Sequence, residues 1–207
     1  MSDRAPAKPT KRRRRPVQAR SEATVAAILE ATAQVLESEG YERTTTSRIA
    51  ERAGVSVGSL YQYFPTKDAL VAELVERHFD EVSSRMLGTL AELGEASAEA
   101  AVEVIVEAIV DLHRPHPVRH GAFNELLLRM DGLELLDRFG AHVEAAVAEV
   151  LAQRREPLGL ADPELSAQVL CRAVSGLVRT TLRRDPERFA DPAFQRELAR
   201  LIHRYLL

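Results

Sequence analysis

Residues 40–67 read GYERTTTSRIAERAGVSVGSLYQYFPTK, and the punctuation of this stretch decides the fold. Before it, Val25, Ile28, Leu29, Thr32, Val35 and Leu36 recur at helical spacing, one stripe of an α-helix. Gly40 follows as a left-handed C-cap, with Tyr41 placed to fold back on the last turn. Thr44, Thr45 and Thr46 then offer hydroxyl N-caps, Ile49, Ala50 and Ala53 form an inward face, and Gly54 ends a short helix. After Val55-Ser56-Val57-Gly58, Leu60 and Phe64 sit four apart in a second short helix that Pro65 stops. Thr66 caps a long helix from about Lys67 to Leu93, with Leu70, Val71, Leu74, Val75, Phe79, Val82 and Met86 as its apolar positions. Two short helices joined by a tight glycine turn and packed on longer neighbours make a helix-turn-helix head.

Outward from that head the periodicity stays helical. Residues 97–112 carry an inward set Ala101, Val104, Ile105, Ala108, Ile109 and Leu112. Val102, Val106 and Val110 leave only Glu103, Glu107 and Asp111 as a polar stripe, so this helix is expected at the centre of the body. His113-Arg114-Pro115-His116-Pro117 forces a break. Further helices are expected at about 118–130, 133–155, 162–184 and 193–206, separated by Asp131-Gly132, Pro157-Leu158-Gly159 and Asp185-Pro186. With no convincing strand and no repeat, the architecture is all-α, roughly nine helices. A disordered basic arm occupies 1–17, a helix-turn-helix three-helix head 18–67, and a larger helical body 68–207.

The chain has 207 residues and a formal net charge of -3, unevenly spread. Residues 1–67 hold 12 Lys+Arg against 7 Asp+Glu, and the remainder 16 against 24. A basic head on an acidic body suits a polyanionic partner, nucleic acid being the commonest, although a basic arm kept for solubility gives the same balance. The single Cys171 excludes an intramolecular disulfide scaffold, and no apolar run is long enough to span a membrane or follows the basic N-terminus as a signal peptide would require. A cytoplasmic setting is expected.

Gly40-Tyr41, Thr44-Thr45-Thr46, Ile49-Ala50, Ala53-Gly54-Val55-Ser56, Gly58-Ser59-Leu60-Tyr61, Tyr63-Phe64 and Lys67 stand in unbroken order. This pattern resembles the DNA-binding head of the tetracycline-repressor (TetR) family of bacterial transcriptional regulators, over roughly residues 18–80. The rest is similar to that family in helix count and length. The resemblance implies that Thr45 and Ser47, opening the first helix of the pair, contact backbone or base; Ser47 stands where some relatives carry a long basic side chain. It also implies that Lys67 binds phosphate as a point charge. The residue chemistry agrees. Ser56 caps the second helix, whose N-terminus suits phosphate. Val57 can touch a thymine methyl, Gly58 permits close approach to a base pair, and Ser59 can donate or accept at a base edge. Tyr61 and Tyr63 can reach phosphates with their hydroxyls, and Gln62 could read adenine. Leu60, Phe64, Ile49, Ala50 and Ala53 are core. The arginines of 11–15 could enter a minor groove, neutralise phosphates without specificity, or form a solvated tail.

No nucleophile elbow, P-loop or dinucleotide fingerprint occurs, so no enzyme and no cofactor is expected. His113, His116 and His120 lie near one another, but Pro115 and Pro117 interrupt their helix and no Cys or carboxylate completes a metal set. They are expected as break and surface residues, one at most lining a pocket. Cys171 is expected as an inert core thiol. On the last two long helices, Leu165, Val169, Leu170, Ala173, Val174, Leu177 and Val178, and Phe194, Leu198, Leu201, Ile202, Tyr205 and Leu206, give more apolar surface than a hairpin needs. A twofold four-helix interface is therefore expected, the arrangement the family resemblance also implies. The reading is a dimeric repressor on a palindromic double-stranded DNA operator, released by an apolar or amphipathic small molecule. Its pocket would be lined from 97–112, 118–130 and 133–155, with Phe123, Met130 and Phe139 as candidate contacts. The competing readings are a helical-bundle enzyme or carrier with an anion-binding head, and a regulator answering to a partner protein.

Overall fold

In the computed structural model, residues 15–129, 133–154 and 158–207 are described. The basic residues 11–14 and the candidate contact Met130 lie outside the described residues. Nine α-helices and one 3-10 helix appear among those described, with no strand: α1 (Arg15–Glu39), α2 (Thr46–Ala53), α3 (Val57–Tyr63), α4 (Lys67–Glu92), α5 (Ala98–His113), α6 (Pro117–Arg129), α7 (Leu133–Gln153), α8 (Pro163–Arg184), the 3-10 helix Pro186–Ala190, and α9 (Pro192–Leu206). Helix α1 begins at Arg15 rather than near Ser21, within the stretch 1–17 expected as an arm. Pro16 is no obstacle there, since the first helical turn has no use for its missing N–H.

The helix starts are built by side chains. Thr45, Ser56, Thr66 and Ser97 accept from the backbone N–H groups of Arg48, Ser59, Ala69 and Ala100, and Asp162 and Asp191 do the same for α8 and α9. Each such cap contributes about 1 kcal/mol. Gly54, at φ 68°, closes α2 in the left-handed region and turns the chain into α3.

The head's core is Ile28, Leu36, Ile49, Leu60, Leu70 and Val71, all buried, from α1 to α4. It does not end with the head. Phe123, Leu126 and Leu127 of α6 belong to the same apolar cluster, so one helix of the body is packed into the head. A second cluster joins α5, α8, the 3-10 helix and α9 through Val106, Ile109, Leu182, Phe189, Leu198 and Ile202. α5 is central, as its composition requires; of its expected inward set Ala101, Ile109 and Leu112 are buried and Ile105 and Ala108 half-buried, and only Val104 turns outward. Ala101, Val102, Val106, Ile109, Val110 and His113 are buried, while Val104 is 43% exposed beside Glu103 and Glu107. With three apolar residues in four, the sequence of this helix did not fix which apolar residue met solvent.

One close approach constrains the body. A Cβ on Gly121 of α6 would lie 2.7 Å from the carbonyl oxygen of Leu182 in α8. Backbone cannot yield as a side-chain tip can. Gly121→Ala is expected to destabilise the protein by roughly 1–3 kcal/mol, the usual cost of overpacking, read as a lower midpoint in urea denaturation. An unchanged midpoint would contradict this tight α6–α8 contact.

Candidate DNA interface and effector cavity

The residues expected to meet nucleic acid lie on the start of α2, on α3 and at the start of α4. Thr45, Ser47, Ser56, Val57, Gly58, Tyr61, Gln62 and Tyr63 are exposed, and Ser59 and Lys67 half-buried. The side chains of Leu60 and Phe64 point the other way, into the core. Helix α3 is therefore held by two apolar anchors and leaves its polar residues, with Val57, to solvent.

Local bonds set several of these groups. Ser56 Oγ accepts from the Ser59 N–H at 3.0 Å and lies 2.8 Å from Ser59 Oγ. The Tyr61 hydroxyl is 3.1 Å from Thr46 Oγ1, which ties α3 to the first turn of α2 and brings Thr45 and Ser47 alongside it. Lys67 Nζ donates to the Tyr41 carbonyl at 3.2 Å and sits 4.0 Å from the centre of the Tyr41 ring, keeping further N–H groups for another acceptor. The Tyr41 hydroxyl in turn donates to Asp68. That bond, with burial and the neighbouring carboxylate charge, pushes the phenol up to about 12, so it stays protonated. Sequence reasoning missed Tyr41 and Thr46 as the residues that position Lys67 and Tyr61. Gly58 has ordinary helical backbone, and an added Cβ would meet only Ser56 Oγ, at 3.9 Å. Nothing inside the chain requires glycine there.

A second site lies in the body, where α4 to α9 surround a cavity of about 280 Å³. Its wall is mostly apolar, with Met86, Ile105, Phe139, Val143 and Val147 among its residues. Phe139 lines it as expected. Phe123 does not: at 2% exposure it is sealed in the head-side core, in edge contact with His78. Val174 lines the cavity as well, so it is not free to serve a surface on the far side of α8. Cys171 is another lining residue. Burial, aided by the Glu144 charge, pushes its thiol up to about 12, which keeps it a poor nucleophile.

The histidines depart most from expectation. His113 and His120 are buried and line the cavity, together with His78 of α4; only His116 of the expected group is exposed. Helix α6 begins after the proline break and carries His120 back over His113, with ring centres 4.9 Å apart. His78 could have been read from the sequence, since it stands three and four residues after Val75 and Leu74 and four before Val82, on the inward stripe of α4. Among the described residues no group of three or more His, Cys, Asp or Glu is arranged to hold a metal ion. Desolvation, with the charges of neighbouring histidines and Arg119, lowers His78 to about 4 and His120 to about 3; burial also lowers His113. All three are neutral at pH 7.

These shifts predict acid sensitivity. Between about pH 6.5, where an unfolded histidine protonates, and the folded values near 4 and 3, the unfolded chain binds more protons than the folded one. Stability therefore falls as pH falls through that window. Thermal unfolding at pH 7 and at pH 5.5 should show the loss, before most carboxylates titrate, and replacing His78 and His120 together by Phe should reduce the slope. A melting temperature independent of pH over that range would contradict neutral burial.

Comparison with known proteins agrees with this geometry. Residues 28–74 match the family described as bacterial regulatory proteins, tetR family, and residues 97–206 match the tetracyclin repressor-like C-terminal domain. The nucleoid occlusion factor SlmA of Haemophilus ducreyi is 34% identical over 122 residues, spanning 52% of this chain and 59% of that protein. The HTH-type transcriptional repressor DrrR1 of Streptomyces coeruleorubidus is 30% identical over 147 residues, 71% of this chain and 48% of its own. A solved TetR-family regulator from Mesorhizobium loti superposes with a TM-score of 0.73 at 20% identity, over 90% of this chain and 96% of the other, a likeness of fold. A helix-turn-helix head held by α1 and α4, a helical body, and two matched domains that together span both lead to one conclusion: the chain belongs to the tetR family of bacterial regulatory proteins and is a DNA-binding transcriptional regulator.

Proposed function

We propose that the protein is a dimeric repressor that holds a palindromic operator through the heads (18–67) of two copies and releases it when a small molecule enters the cavity of the body (68–207). The observation that carries this reading is the double attachment of α6. On one side His120 and Asn124 line the cavity. On the other, Arg119 pairs with Glu37 at 3.2 Å and Glu30 at 3.6 Å on α1, and Arg129 pairs with Glu42 at 2.9 Å. Phe123, Leu126 and Leu127 pack into the head's core between these anchors. A ligand that moves α6 thus moves the head, provided it binds the displaced state better than the DNA-competent one.

The second copy would use the outer faces of α8 and α9. Leu165, Val169 and Leu177 form an exposed stripe on α8, 56%, 45% and 36% accessible, and Leu201 and Tyr205 one on α9, 45% and 42%. Gly176 lies beside this stripe with nothing within 4 Å of an added Cβ, which leaves room for a helix of the partner. Leu170, Val174, Val178, Phe194, Leu198, Ile202 and Leu206 are used within the chain, about half of the apolar positions that the sequence offered. Among the described residues no helix is long and apolar enough to cross a membrane. We place the protein in the cytoplasm, without enzymatic activity, regulating transcription alone.

The test is operator release. With the protein bound to the DNA that flanks its own gene, lipophilic small molecules are screened by fluorescence anisotropy for dissociation, and the active one is then tried on Glu30→Gln/Glu37→Gln. Arg119 is only 18% exposed, but each glutamine keeps an oxygen that can accept from it, so folding should survive. The ligand should still bind, with a weaker effect on the DNA; allosteric couplings are typically about 1–3 kcal/mol. A protein that ignores every small molecule but releases DNA on adding a protein partner would instead support control by that partner.

A further inference from the structure

Three histidines from three helices meet in the wall of the cavity, and their hydrogen bonds restrict what can lie against them. His120 Nδ1 is 3.0 Å from His78 Nε2, and His113 Nδ1 donates to the Ile109 carbonyl at 2.7 Å. His113 therefore turns a bare lone pair, on Nε2, toward whatever lies beyond it. For His78 and His120, one N–H is shared between two neutral rings. If His120 donates, its Nε2 is a lone pair and His78 Nδ1 carries a proton. If His78 donates, the two outer nitrogens exchange roles. In either tautomer the pair presents one donor and one acceptor.

Those outer nitrogens are accessible. Among the described residues, every fully buried side-chain nitrogen or oxygen has a hydrogen-bond partner. His78 Nδ1 and His120 Nε2 have none, so they are not sealed in, and both residues line the cavity. Because the two outer nitrogens exchange roles with the tautomer, either end of the pair can donate to or accept from a hydroxyl group, which itself can do either. A carboxylate would need two donors, and an ammonium two acceptors. The surroundings also disfavour charge. Phe79 and Phe123 stand edge-on to His78 at 5.5 and 4.8 Å, and Phe139 stacks on Phe79 behind them. Of the charged lining residues, Glu144 is held by Arg172 at 3.0 Å, Arg154 donates to the carbonyls of Gly94, Ala96 and Val150, and Arg179 is exposed to solvent.

We propose that this cavity takes an uncharged molecule with an apolar body and a hydroxyl group, an alcohol or a phenol, seated on the His78–His120 pair. The volume of about 280 Å³ sets the size: on the order of ten carbon-sized groups, at roughly 30 Å³ each. The proposal rests on the reading of the cavity as the effector site and deepens it by naming the class of effector.

The experiment is calorimetric titration of the full-length protein, without DNA, with three probes of one shape: 4-propylphenol, propylbenzene and 4-propylbenzoate. The phenol should bind at least tenfold more tightly than the other two, with an affinity constant from pH 6.5 to 8. In His78→Phe/His120→Phe, which replaces both partners by rings of similar size, the phenol should lose that advantage while propylbenzene keeps its affinity. If that variant does not fold, nitrogen-15 spectra of histidine-labelled wild-type protein decide: the phenol should move the ring-nitrogen resonances of His78 and His120, and propylbenzene should not. Equal affinities for phenol and propylbenzene, a preference for the benzoate, or unmoved ring nitrogens would overturn the proposal. Failure of the broader reading looks different: a phenol that binds on the histidines yet leaves operator affinity unchanged sinks the effector role and keeps the site. Release of operator by a molecule whose binding ignores both histidines does the reverse.

Discussion

Leu177→Arg should convert the protein to monomers and lower operator affinity by at least about a hundredfold. Leu177 lies in the middle of the exposed stripe on α8, 36% accessible in a single chain. An arginine there costs the folded monomer little, because the site already faces water. In a twofold interface the same residue, or its near neighbour, meets its counterpart, so the charge would be buried twice without a partner. Operator binding follows, since joining two half-site contacts multiplies affinity by about 10²–10⁴ over one head alone. Sedimentation velocity at micromolar concentration and anisotropy on the same preparations check both parts. A dimer unaffected by Leu177→Arg would move the interface elsewhere. Val174, which the sequence placed on the same surface, is a poor choice for this experiment because it faces the cavity.

Gly58→Ala should separate stability from recognition. The residue is helical and its missing side chain faces open space, so alanine fits and should raise helix stability by up to about 1 kcal/mol. In the proposed DNA complex the added methyl group would stand in the turn of α3 expected to meet a base pair. About 1–3 kcal/mol per half-site, in two separated half-sites whose effects add, should weaken operator binding more than thirtyfold. Thermal melting and anisotropy together give the result. Higher stability with unchanged affinity would mean that α3 does not approach DNA at Gly58.

The head was legible because its signals are local. A glycine at positive φ, a hydroxyl cap and a proline each act within a few residues, and Gly54, Ser56 and Pro65 place α2, α3 and α4 where the sequence predicts them. The cavity was legible only in part. Phe139 lines it, but Phe123 was assigned there on size and position, and size does not say which side of α6 faces the body and which faces the head. The histidines were hidden by a different cause. His113 and His120 meet because the chain turns at Pro115 and Pro117 and brings α6 back across α5, and His78 joins them from 42 residues before His120. Such a cluster is set by packing between helices, and the local pattern places only His78 on an inward stripe.

Sequence-specific binding by two heads is the central claim, and selection from a random DNA library tests it most directly. The purified full-length protein is equilibrated with the library at about 0.15 M salt, where non-specific phosphate attraction is strongly weakened, and the bound fraction is sequenced. The account predicts enrichment of one inverted repeat with half-site centres about 34–36 Å apart or a multiple of that turn, and loss of the enrichment in Gly58→Ala. Retention of random sequences with no enriched motif, or enrichment of a single unrepeated site bound by one copy, would contradict it.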